Sequence, residues 1–248
     1  MTSRAGLSSL SLLLALSFLV APATSSAQTE ADGWAAPEGD RPTSGDASLL
    51  SGRTLGTGEV LIAAAIGFPG LWAHVEIAPS SDFNLGVRGG VLYGSPNMGL
   101  GIGGGGQLEV PMRIHLWGEG EGDLALRLCP RIAVGEGALF GESGIFAHVF
   151  GLSSRLDAGV LLGWHPDPRV TVFVGADAGI GLSYVEGTSV EPIGVFQGRL
   201  GVEGLLARDT MLFAELTVGG GLAPDRVGLP IYPDRFALGL SLGLGYLL

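Results

Sequence analysis

Twelve charged side chains recur at alternate positions of otherwise apolar runs: Glu76, Arg88, Glu109, Arg113, Arg127, Arg131, Arg155, Asp157, Asp177, Arg199, Glu203 and Glu215. They comprise six Arg and six carboxylates, a balanced set within a chain of net charge −11. Balanced charges on one face favour mutual pairing, and the planar guanidinium can hold a carboxylate in bidentate geometry. Arg199 is expected to neutralise Glu203 or Glu215. Other chemistry has less to build on. His74, His115, His148 and His165 show no ligand-like spacing, and Cys129 is alone, so neither a metal site, a cofactor nor an internal disulfide is expected. Acid–base work by His115 with Arg113 and Glu109 needs a nucleophile or activated water beside the base. None is evident, and the chain is expected not to be an enzyme. Gly101 to Gly106 fits a Gly-x-Gly-x-x-Gly pattern, but it runs into a strand instead of opening a helix, which argues against a dinucleotide site. An acidic chain with no basic cluster also lacks the means to neutralise a nucleic-acid backbone.

The elements that position these charges are strands. The last stretch shows the rule: Phe236, Leu238, Leu240, Leu242, Leu244, Tyr246 and Leu248 share one parity, whereas Ala237, Gly239, Ser241, Gly243 and Gly245 share the other. Period-two alternation sends the two sets to opposite faces. Ten such segments can be read, at about 58–68, 71–78, 83–94, 101–117, 123–134, 153–164, 169–184, 194–206, 211–222 and 235–248. The apolar parity includes Leu108, Val110, Met112, Ile114 and Leu116, and no charged residue falls on it in any segment. The opposite parity carries all twelve charges, together with His74, Gln197, Trp72, Phe173 and Trp117. Aromatics of the apolar parity sort to strand ends: Phe68, Tyr93, Tyr184, Phe196 and Phe236 at one end, Phe83, Trp164 and Tyr246 at the other.

Tyr246 and Leu248 end an alternating apolar run, with Leu where Phe is more usual, and this ending resembles the C-terminal strand of bacterial outer-membrane β-barrel proteins. The resemblance implies an all-β, closed antiparallel transmembrane β-barrel in a Gram-negative cell envelope. Outer-membrane lipid and the barrel-assembly machinery, engaged through the last strand, would be its partners. An even strand count, two aromatic girdles and an apolar exterior fit that expectation. Ten strands are expected, with eight as the alternative if the weak second strand is misread.

Residues 1–27 read as a signal peptide, with Arg4, an apolar run from Leu10 to Ala21, and a small-residue cleavage site at Ser25-Ser26-Ala27. Residues 28–57, rich in Gly, Pro, Ser and Thr, are expected to form a flexible periplasmic tail, and 58–248 the barrel. The longest outer loops should be Gly135 to Leu152, Val185 to Ile193 and Ala223 to Asp234. Pro130 removes a ladder donor within a strand, so a bulge or register slip is expected there. The balanced charges should fill the interior, helped by small residues from Gly175 to Gly181. The expected product is a small outer-membrane barrel with a mostly occluded lumen and a structural, surface or binding role through its outer loops. A narrow pore for small solutes and a lipid-modifying enzyme are the alternatives.

Overall fold

The computed structural model describes residues 48–93, 104–140, 146–187, 189–207, 209–221 and 237–248. The expected signal peptide, the expected tail up to residue 47, Phe236 and the whole segment from Ala223 to Asp234 lie outside the described residues. Eleven strand segments follow the alternation: β1 (Val60–Phe68), β2 (Gly70–Ser80), β3 (Phe83–Leu92), β4 (Gly105–Glu109), β5 (Met112–Glu119), β6 (Gly122–Phe140), β7 (Phe146–Asp167), β8 (Val170–Val185), β9 (Glu191–Leu205), β10 (Thr210–Gly221) and β11 (Ala237–Leu247). β4 and β5 are two halves of one strand, since both pair with β3 and with β6. The eleven segments therefore make ten barrel strands. Every pairing is antiparallel, and β1 pairs with β11 from Leu61↔Leu247 to Phe68↔Leu240, which closes the sheet. The second strand is real, so the eight-strand alternative falls away.

Facing follows the pleat. Leu108, Leu116, Leu156, Val160, Leu162, Leu200, Val202, Leu240, Leu242 and Leu244 are exposed on the outside, while Glu109, Arg113, Asp157, Arg199 and Glu215 on the other parity are buried within. Inward glycines make room for large partners. A Cβ on Gly243 would collide with the Phe213 ring, and one on Gly201 with the Phe173 ring, both rings being fully buried. Closure removes unpaired edges, as a chain spanning lipid requires.

Three details depart from the sequence-based expectations. First, β6 does run through Pro130, and the register does not slip there. Glu109↔Arg131 and Met112↔Leu128 lie on one continuous register, and only the ladder between them is interrupted. The partner strand carries Pro111 next to Val110, the residue opposite Pro130, so two residues without an N–H lie diagonally across a local gap bridged by Val110 N–H donating to Pro130 O at 2.9 Å. Second, Trp117 does not face inward. A register shift between His115 and Trp117 inserts one residue, which turns the ring outward to 46% exposure at the end where Phe83, Trp164 and Tyr246 lie. Third, residues 135–140 and 146–152 are paired strand rather than loop. β6 and β7 have 19 and 22 residues, about twice the ~9–11 a tilted strand needs to cross a bilayer, so this hairpin extends past the membrane.

Candidate functional site

The lumen is entered by the chain itself. Residues 48–57 belong to the same structural unit as the barrel, and Ser48, Leu49, Leu50, Ser51 and Leu55 are buried inside it. The expectation of a flexible tail continuing to residue 57 is therefore corrected for this segment. Leu49, Leu50 and Leu55 pack in one apolar cluster with Leu61, Ala63, Trp72, Phe173, Met211 and Phe213. A non-helical backbone inside a barrel needs partners for its N–H and C=O groups, and wall side chains supply them. Leu49 N–H and Leu50 N–H donate to Glu203 Oε1 at 2.9 and 2.7 Å, and the Ser48 hydroxyl donates to the other Glu203 oxygen. Arg113 donates to the carbonyls of Ser51 at 2.7 Å and Ser48 at 2.6 Å. Leu55 N–H reaches Asn84 Oδ1 at 3.2 Å, and the His115 ring lies 3.1 Å from Gly52 O. Ser51 N–H is satisfied locally by Ser48 Oγ at 2.8 Å.

The charges divide into three sets. Beside the plug, Arg113 pairs with Glu76, which also contacts His74 at 2.9 Å. Asp123 contacts His165, lies 3.9 Å from Arg53 of the plug, and accepts from the Ser51 hydroxyl at 3.3 Å. At mid-barrel, Arg199 pairs with Asp177 and, at 2.7 Å, with Glu215, while Arg127 reaches Asp177 at 3.2 Å. Towards the end where β1 passes to β2, Arg131 pairs with Glu109 at 2.8 Å and lies 3.7 Å from Asp157. There Arg88 lies 3.7 Å from Glu109, and Arg155 holds Asp157 through two nitrogens at 2.5 and 2.9 Å. Guanidinium and carboxylate groups this deep need such pairing, because desolvation is costly.

All twelve charges named from the sequence thus face the lumen. Arg199 neutralises Asp177 and, of its two expected partners, Glu215, while Glu203 is taken by the plug. Asp123 shares the inward parity of Arg127 and was legible as a thirteenth wall charge. Asn84 shares the inward parity of Arg88 in the same way, whereas Arg53 had no such signal, because its role depends on where the plug lies. On the outer surface Tyr93, Trp164, Tyr184, Phe196 and Tyr246 are exposed and Phe68 and Phe83 half-buried. Beyond the plug a cavity of about 150 Å³ is lined by Arg88, Arg131, Arg155, Arg199, Glu109 and Glu215, with Trp72, Gln107 and Gln197.

No family model and no curated protein matches the chain. Among solved structures, the translocator domain of the autotransporter NalP from Neisseria meningitidis is similar at 11% identity and a TM-score of 0.43, covering 77% of this chain and 88% of that one. The outer-membrane protease OmpT from Escherichia coli is similar at 7% identity and a TM-score of 0.40, covering 78% and 94%. The NanC porin is similar at 7% identity and a TM-score of 0.36, covering 76% and 98%. The expectation that the chain is not an enzyme is corrected here: a protease is among the similar structures, and fold alone neither assigns nor excludes an activity. Closure of the sheet, the apolar exterior and the polar lumen give the chain the fold of a closed transmembrane β-barrel.

Proposed function

We propose that this protein is an outer-membrane barrel closed to steady flow by its own N-terminal segment, with a structural, surface or binding role at its outward end. In this reading residues 1–27 are removed on export, and the final strand is what the assembly machinery engages. One observation carries the proposal: residues 48–55 lie inside the lumen, with their buried backbone groups bonded to Glu203, Arg113, Asn84 and His115. Ten strands leave more interior than eight, which side chains alone just fill, and the segment takes up that excess. A narrow pore is the second reading, favoured by the cavity above the plug, which displacement of residues 48–57 would join to the other side. Proteoliposomes carrying the full barrel should exclude small sugars as protein-free liposomes do. Swelling that rises with protein content would favour the narrow pore.

A further inference from the structure

The charge sets beside the plug and around the cavity are unequal. Arg199 and Glu215, which line the cavity, pair with each other; of the other cations there, Arg88, Arg131 and Arg155 share two carboxylates, Glu109 in the lining and Asp157 behind it. Arg155 contacts Asp157 through two nitrogens, one of them in a hydrogen bond at 2.9 Å. Glu109 then serves both Arg131, at 2.8 Å, and Arg88, at 3.7 Å. Arg88 is the least well held: its nearest carboxylate oxygen is beyond hydrogen-bond distance, and its Nε, like those of Arg131 and Arg155, has no hydrogen-bond partner among the described residues. Arg88 is nonetheless buried, with its guanidinium 4.3 Å from the centre of the Trp72 ring. Trp72 is itself stacked on Phe213 at 5.5 Å, which fixes the wall on that side. A buried guanidinium without a full partner is costly, and it adjoins open volume here.

Resting on the closed-lumen reading, which makes this space a blind pocket, we propose that the cavity is a binding site for a small organic anion: a carboxylate carried on a compact, planar or apolar body. The carboxylate supplies the missing negative charge beside Arg88 and Arg131, in the forked geometry guanidinium groups favour. The body lies along Trp72 and the inward apolar side chains of Leu92, Ala133 and Val195. A volume of about 150 Å³ matches the scale of an engineered cavity in another protein that accepts benzene, so polymers and large sugars are excluded from it. Gln107 and Gln197, which line the same space, offer amide groups for a second polar contact.

The test is calorimetric titration of the full-length barrel in detergent, corrected for empty micelles, with benzoate and its neutral counterpart benzamide as probes. Benzoate should bind at one site and benzamide at least about tenfold more weakly. Arg88→Gln should weaken benzoate by about tenfold or more, as loss of a charge-assisted contact predicts, while a heat-modifiable gel shift reports that the barrel is folded. Equal affinity for the two probes, or wild-type benzoate affinity in Arg88→Gln, overturns the assignment. If the variant does not fold, the two-probe comparison on the wild-type protein decides alone. A barrel that binds no benzoate yet excludes sugars from liposomes loses the pocket and keeps the plug. One that binds benzoate yet admits sugars keeps the anion site and loses the closed-lumen reading.

Discussion

Glu203 is the residue on which the plug most depends, because one carboxylate oxygen accepts two consecutive backbone N–H groups and the other bonds the Ser48 hydroxyl. Removing it strands donors in a space that holds few alternatives, a cost of about 1–3 kcal/mol. Glu203→Ala should therefore loosen residues 48–55 without unfolding the strands, whereas Glu203→Gln keeps an acceptor for Leu49 and Leu50 and should stay close to wild type. A cysteine at Ser51, in a background with Cys129→Ser, reports the difference by its rate of modification with a water-soluble maleimide. Labelling should quicken roughly five- to hundredfold in Glu203→Ala; an unchanged rate would show that Glu203 does not hold the segment. Cys129 itself is buried, on the inward parity expected of it.

At the scale of elements, most of the barrel was legible because a strand's period of two leaves one choice of facing wherever bulky apolar and charged residues alternate. The final strand shows this most clearly. Its outward Leu242 is exposed and its inward Ser241 borders the cavity. Leu242→Asn should lower the folded yield in lipid bilayers well below that of Ser241→Asn, and Leu242→Arg should cost about 2–4 kcal/mol if that face lies at the bilayer midplane. Equal yields for the two Asn variants would contradict the facing. What the pattern could not reveal depends on neighbouring strands. The one-residue shift that turns Trp117 outward belongs to the pairing of β5 with β6. The break at Pro130 coincides with Pro111 diagonally across on the neighbouring strand, and a single strand read alone could not display that. The plug was hidden for another reason. Averaged over residues 28–57 the composition is that of an unstructured tail, which obscures Leu49, Leu50 and Leu55, the three residues that enter the core.

For the molecule as a whole, barrel width and lumen filling are linked. A closed sheet of ten strands has an interior slightly too wide for side chains to fill. Here the remaining space is divided between an apolar end, occupied by residues 48–55 against Trp72, Phe173 and Phe213, and a charged end with a cavity. The plug brings its own cation, Arg53, towards Asp123, while Arg88, Arg131 and Arg155 share two carboxylates at the cavity end. In the proposed reading the segment closes the lumen at one end and leaves the cavity at the other. Planar-bilayer recording compares the full barrel with a variant lacking residues 48–56. The full barrel should carry no steady current and the shortened one should show stepwise openings; large, steady openings of the full barrel would contradict the closed lumen.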